Sequence, residues 1–250
     1  MDDFILEARG LSRDFSGFRA VSDVDLKVRR GEIHALIGPN GAGKTTTFNL
    51  LTKFLQPSAG SIVYNGQDIT RTRPAAVARM GMVRSFQISA VFPHLTVLDN
   101  LRVALQRKLG TSFHFWKNDA SLDQLNARAA ELIASVGLAD YTDCAAMDLS
   151  YGRRRALEIA TTLSLEPEML LLDEPMSGLG REDIGTVSNL IREVGKKYSV
   201  LMVEHNLSVV AELSKTITVL ARGQVLAEGS YEEVSANADV RAAYMGTTYA

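Results

Sequence analysis

Gly38-Pro39-Asn40-Gly41-Ala42-Gly43-Lys44-Thr45 matches the spacing G-x-x-x-x-G-K-[ST] without a gap, and no other stretch of this chain restricts its possible folds so tightly. Glycines let backbone N–H groups close around an oxyanion without Cβ clashes. A helix leaving such a loop aims the positive end of its dipole, roughly half an elementary charge, at the same point. Lys44 then suits the β- and γ-phosphates of a nucleotide, and the Thr45 hydroxyl suits a Mg²⁺ ion, with Thr46 closing the binding stretch. The flanks agree. Glu32-Ile33-His34-Ala35-Leu36-Ile37 predicts a strand entering the loop, and residues 46–55 predict a helix leaving it, with Phe48, Leu51 and Leu55 on one buried face.

Elsewhere the periodicity implies an α/β fold. Val24, Leu26 and Val28 alternate with Asp23, Asp25, Lys27 and Arg29, as in a half-buried strand. Ser61-Ile62-Val63-Tyr64 runs into Asn65-Gly66, a two-residue hairpin signal, so an antiparallel β layer is expected beside the phosphate-loop core. From about residue 92 to 165 the pattern is mostly helical: Leu98, Leu101 and Leu105 form one stripe, and Leu132, Ile133 and Val136 form another that Gly137 should end. Met169-Leu170-Leu171-Leu172 and Val200-Leu201-Met202-Val203 are too uniformly apolar for sheet edges and read as buried parallel strands. Arg222-Gly223 marks a second hairpin, and Ser230 with Glu233 makes a capping box. The expectation is a single domain over 1–250: a mostly parallel sheet with flanking helices, an antiparallel β subdomain, and a helical insert at about 92–165.

The other half of a nucleotide site follows the buried strands. Asp173 is the natural Mg²⁺-side carboxylate of a phosphate-loop nucleotidase, and Glu174 is placed to polarise an attacking water as general base. His205 follows Val200 to Glu204, another buried strand, and could report on a γ-phosphate, since both of its charge states are accessible near pH 7. Gln87, after Val83-Arg84-Ser85-Phe86, could hold Mg²⁺ or the attacking water. Taken singly, His205 would read as structural and Gln87 as an ordinary polar residue. Leu149-Ser150-Tyr151-Gly152 opens a helix whose Ala156, Ile159, Ala160 and Leu163 share a face. Ser150 and Gly152 suit a second anion-binding helix start, or an ordinary N-cap.

Composition excludes several function classes. With 27 basic and 29 acidic residues and a net charge of −2, no global field recruits nucleic acid. The single cysteine, Cys144, cannot form an intrachain disulfide and fits a reducing compartment as a small buried hydrophobe. His34, His94, His114 and His205 lack metal-ligand spacing. An acidic start and the lack of any long apolar run lead to the expectation of a cytoplasmic chain whose membrane role comes through partner subunits. Phe113-His114-Phe115-Trp116 reads as packing within the helical insert, with a surface contact as the alternative.

Taken together, the phosphate loop at 38–45, Gln87, the stretch 149–153, the strand and carboxylates at 169–174, and His205 resemble the ATP-binding subunits of ABC transporters over essentially the whole chain. The resemblance implies ATP and Mg²⁺ as the ligands. It also implies a head-to-tail pair of ATPase subunits, identical or related, in which Ser150 and Gly152 cover the ATP on the partner's phosphate loop. Further partners implied are transmembrane permease subunits, met by a stretch at about 90–98, and indirectly a periplasmic solute-binding protein. The chain would then lie on the inner face of the plasma membrane. Phe15 falls where the family stacks an aromatic on adenine, with Phe18 as the alternative. The finer similarity is to the branched-chain and hydrophobic amino acid uptake group, carried by Met82-Val83-Arg84-Ser85-Phe86-Gln87, the Tyr151 of the signature, Val203-Glu204-His205-Asn206-Leu207, and Val240-Arg241-Ala242-Ala243-Tyr244-Met245-Gly246. Urea-uptake and lipopolysaccharide-export ATPases share parts of these. Two residues depart from the family pattern: Arg153 replaces a usual Gln, and Gly180 replaces an Asp or Asn. A soluble ABC ATPase would be expected to carry two cassettes or a long coiled coil. A phosphate-loop kinase would have no use for the 149–153 signature or His205.

Overall fold

The computed structural model describes residues 3–85, 91–109 and 125–245; Gln87, Ala90, the aromatic cluster at 113–116 and Gly246 lie outside them. The chain divides into two compact units, one of Met1–Arg84, Glu168–Pro175 and Ile191–Ala250, the other of Ser85–Pro167 and Met176–Leu190.

The first unit opens with two antiparallel strands, β1 (Phe4–Phe15) and β2 (Phe18–Arg29). In β2, Val24, Leu26 and Val28 are buried while Asp23, Asp25, Lys27 and Arg29 are exposed, as the alternation predicts. Strand β3 (Ile33–Ile37) is buried throughout and leads through the phosphate loop into helix α1 (Lys44–Leu51). Strands β4 (Ala59–Tyr64) and β5 (Gln67–Asp68) pair across Asn65-Gly66, whose φ angles of +49° and +73° are those that a twisted two-residue hairpin needs. Helix α2 (Pro74–Arg79) begins on its proline, and β6 (Met82–Ser85) follows.

The second unit holds α3 (Val97–Leu109), α4 (Asn126–Ser135) and α5 (Tyr151–Leu163). Leu101, Leu105, Leu132, Ile133 and Val136 are buried there, and Gly137 ends α4 with φ +73°. The α3 stripe differs by one residue from expectation: Val97 is fully buried and Leu98 only partly. Val97, Leu101 and Leu105 stand four apart, each about 40° round the helix from the last, so the three still share one face.

The chain then returns through β7 (Met169–Asp173), α6 (Arg181–Gly195), β8 (Ser199–Val203), α7 (Leu207–Leu213), β9 (Thr216–Ala221), β10 (Gln224–Gly229), α8 (Tyr231–Ala236) and α9 (Ala238–Met245). Among the described residues the strands form a four-stranded sheet, β2-β1-β4-β5, and a six-stranded sheet, β10-β9-β3-β8-β7-β6. β3 lies parallel between β8 and β9, β7 pairs parallel with β8, and β10 closes one edge antiparallel. Both faces of this sheet are covered. Leu36, Leu171 and Leu201 join the β1–β2 hairpin and α1 in one core, while Ala35, Ile37, Ile217 and Val219 join Val210, Val234 and Val240 in another. Burial on both faces is why these strands read as unbroken apolar runs.

Helix α1 starts two residues earlier than the periodicity suggests and stops four earlier. Gly43, left-handed at φ +96°, serves as its N-cap. At the other end the Thr52 hydroxyl donates to the Phe48 carbonyl at 2.8 Å and Lys53 turns to φ +65°, leaving Leu55 half-buried beyond the helix. The capping box at Ser230 and Glu233 is formed. No helix among the described residues is long and apolar enough to cross a membrane.

Candidate nucleotide site

Leu36, Val203 and Asp173 stand in register across β3, β8 and β7. The phosphate loop, the turn carrying His205, and Asp173-Glu174 therefore leave the sheet along one edge, at the carboxyl ends of parallel strands, where open α/β sheets bind ligands. Gly38 has φ +152°, and a Cβ on it would sit 2.2 Å from the Leu220 carbonyl oxygen. Only glycine fits there. The Ala42 carbonyl accepts from the Gly223 N–H at 3.0 Å, and the Gly223 carbonyl accepts from the Ser22 N–H at 2.8 Å, which pins the loop to the β9–β10 hairpin and to β2. Asn40, Gly41 and Thr45 are exposed, Pro39, Gly43 and Thr46 half-buried, and Gly38 and Ala42 buried. No acidic residue occupies the first turn of α1, so the helix's positive end is left for an external anion.

The Lys44 ammonium donates to the carbonyls of Gly38 and Pro39 at 2.6 and 3.0 Å. Burial lowers its pKa, and the nearby Glu174 carboxylate opposes that shift. Asp173 is buried, and its Oδ2 accepts from Arg84 Nη2 at 2.5 Å. Glu174 adopts φ +45°, rare for a residue with a side chain, and its N–H donates to the Val203 carbonyl at 2.9 Å. Such strain persists where the surroundings over-determine it, commonly at functional sites. His205 is exposed, whereas Glu204 beside it is fully buried. Glu204 Oε2 accepts from the N–H groups of His205 and Asn206 at 2.8 and 2.9 Å and so shapes the turn that carries His205. An acid closing a wholly apolar strand was the signal for this role, which the sequence reading of Val203–Leu207 left unassigned.

Phe15 and Phe18 face each other at the tip of the β1–β2 hairpin, 38% and 67% exposed, so both rings are open to a stacking partner. The Phe15 ring lies 4.7 Å from the Arg13 guanidinium. Behind this edge lies a polar chain that the sequence did not reveal: His34 Nε2 meets Thr218 Oγ1 at 2.8 Å, and Thr218 Oγ1 donates to Glu228 Oε2 at 2.6 Å. A threonine hydroxyl has one proton to give. His34 must therefore be the donor, with its proton on Nε2, and burial lowers its pKa to about 4. Helix α9 reaches the loop as well. Burial pushes the Tyr244 phenol up to about 12 against an opposing contact with the backbone of Gly38. A cavity of about 640 Å³ lies between Pro39, Asn40 and Gly41 of the loop, Arg222 of the hairpin, and Asp239 and Ala242 of α9.

Within the second unit, Ser150 caps α5 by accepting from the Arg153 N–H at 3.4 Å. A Cβ on Gly152 would lie 2.3 Å from Asp183 Oδ1 and 2.9 Å from its Cβ. That close approach is a reason for glycine separate from any phosphate. Arg153 stacks over the Tyr141 ring at 4.1 Å, and Arg155 pairs with Glu158 at 2.7 Å. Around Gly180 there is open space, so the departure there relieves no crowding.

Among the described residues no group of three or more His, Cys, Asp or Glu side chains converges as a metal cage. A buried carboxylate at Asp173 and an exposed hydroxyl at Thr45 are instead the oxygen donors that suit Mg²⁺, which takes few protein ligands alongside water and substrate phosphates.

The chain resembles known proteins over nearly its whole length. The profile of the ABC transporter family matches residues 21–177, and that of the branched-chain amino acid ATP-binding cassette transporter matches residues 224–250. The chain is 39% identical over 249 residues to the high-affinity branched-chain amino acid transport ATP-binding protein BraF of Pseudomonas aeruginosa, covering 97% of this chain and 98% of that protein. It is 38% identical over 258 residues to the corresponding protein LivG of Escherichia coli, covering 98% and 99%. Among solved structures, the ADP conformation of an ATP-binding cassette of an ABC transporter superposes with a TM-score of 0.85 at 29% identity, covering 97% of this chain and 99% of the other.

Proposed function

Because this chain belongs to the ABC transporter family as an ATP-binding, ATP-hydrolysing cassette, we propose that it energises uptake of branched-chain or closely related amino acids. The observation that carries the finer reading is the joint match of the catalytic region to the family and of residues 224–250 to the branched-chain group, over nearly the full length of BraF and LivG.

In this reading Phe15 or Phe18 stacks on adenine, and the backbone from Gly38 to Thr46 wraps the phosphates. Lys44 exchanges its two carbonyl contacts for phosphate oxygens. Thr45 and Asp173, with Gln87 by family resemblance, hold Mg²⁺, which draws charge from the phosphate oxygens. Glu174 takes the proton of the attacking water, and His205 contacts the γ-phosphate, so attack and leaving charge are both met by groups fixed at one sheet edge. Ser150 and Gly152 present the start of α5 to ATP bound on a second cassette, and the pair closes on two nucleotides. Closure and reopening drive transmembrane permease subunits, supplied by a periplasmic solute-binding protein, and hold the cassette on the inner face of the membrane.

The test is purification of the wild type with Glu174→Gln and Lys44→Ala, combined with leucine uptake in cells lacking the gene. Glu174→Gln should bind ATP and hydrolyse almost none, and Lys44→Ala should lose on the order of 10²–10³ in turnover, as for removal of a charge-stabilising contact. Full activity in Glu174→Gln would remove the general base from this account. Normal leucine uptake without the gene would remove the amino acid cargo.

A further inference from the structure

Arg84 occupies a position that the ATPase chemistry above does not use. Its guanidinium has two branches: Nη2 donates to Asp173 Oδ2 at 2.5 Å, and Nη1 donates to Asn49 Oδ1 on α1 at 2.6 Å. The rings of Phe48 and Phe54 lie 4.9 and 5.5 Å from its central carbon. The side chains of Arg84 and Asp173 are 14% and 4% exposed, so the pair is largely out of water. One planar cation therefore joins β6, the end of β7 and the helix that follows the phosphate loop. A lysine could neutralise Asp173, but its ammonium lacks the planar fork that reaches two acceptors in fixed directions while lying flat against rings.

We propose that Arg84 is a positioning residue for the nucleotide site: it holds the Asp173 carboxylate in one orientation and ties that orientation to α1 through Asn49. This rests on the reading of Asp173 as the Mg²⁺-side carboxylate. A carboxylate free to rotate would offer a divalent ion a poorer donor, and the outer partners of metal ligands are commonly worth about 10–100-fold in metal affinity. The anchor on Asn49 is what distinguishes positioning from plain charge balance, since it adds direction and no charge.

The experiment measures Mn²⁺ affinity by electron paramagnetic resonance in the protein–ATP complex, ATP affinity in EDTA, kcat and KM for ATP, and thermal melting. It uses the wild type, Arg84→Met, Arg84→Lys, Asn49→Ala and Asp173→Asn. Arg84→Met should bind ATP in EDTA within about twofold of wild type yet lose about tenfold or more in Mn²⁺ affinity, with kcat falling and KM little changed. Asn49→Ala, which leaves the ion pair intact, should lose a few-fold in Mn²⁺ affinity, and Arg84→Lys should recover part of the loss in Arg84→Met. If Arg84→Met does not fold, Arg84→Lys and Asn49→Ala decide the matter by the same readout. Wild-type Mn²⁺ affinity in the Arg84 and Asn49 variants, with or without lower melting temperatures, would overturn the proposal while leaving Asp173 in place. Wild-type affinity in Asp173→Asn would overturn the metal reading of Asp173 and this inference with it.

Discussion

At the scale of single residues, what distinguishes this chain is how its buried ionisable groups are held. Arg84 and Asp173 are paired, Glu204 is spent on two backbone N–H groups, and His34 is kept neutral between β3 and β9. His34 has a pKa lowered from an ordinary 6.5 to about 4, so the unfolded chain takes up a proton that the folded one refuses between those values. Its contribution to stability is whole above pH 6.5 and is lost as the pH falls toward 4, amounting to about 2 kcal/mol by pH 5. Urea unfolding of the wild type and His34→Gln at pH 7 and pH 5 should show the smaller acid loss in the variant. Equal losses would mean that His34 does not couple folding to protons.

At the scale of elements, short sequence motifs were legible where the chain's own neighbours create the geometry. The phosphate loop, the Asn65-Gly66 and Arg222-Gly223 hairpins and the capping box at Ser230 formed as expected, because each needs only a few consecutive residues. The ends of α1 were misjudged because Gly43 in the left-handed region and the Thr52 hydroxyl outweigh hydrophobic periodicity there. The glycine at 152 illustrates a different limit. Its neighbour Asp183 comes from α6, and no local pattern announces that contact. Gly152→Ala should lower thermal stability by about 1–3 kcal/mol through overpacking, and Asp183→Ala in the same chain should relieve part of it. Unchanged melting in Gly152→Ala would leave closeness to a nucleotide as the sole reason for the glycine.

At the scale of the whole molecule, the proposed motor needs two cassettes, since Ser150 and Gly152 are assigned to a nucleotide held by another copy or a related subunit. Glu174→Gln, which should bind ATP without consuming it, is expected to sediment as a dimer with saturating Mg-ATP and as a monomer without nucleotide. Adding Ser150→Arg should prevent the dimer by crowding the start of α5 with a long side chain. A monomer at saturating ATP in Glu174→Gln would count against the head-to-tail pair. Gly180→Asp meets no steric obstacle and should melt as the wild type does, so any change in ATP-dependent pairing would belong to communication between sites.

The amino-acid order alone determined the nucleotide-binding class, the α/β architecture and the identity of Lys44, Asp173, Glu174 and His205 as the candidates for chemistry, because phosphate binding and buried parallel strands leave contiguous signatures. Only tertiary structure decided what holds those groups. Arg84 lies 89 residues from Asp173, His34 lies 184 from Thr218, and Asp183 backs Gly152 from another helix. Such partners are selected by where the packed sheets and helices place them, and a side chain's direction in space cannot be read from its neighbours along the chain.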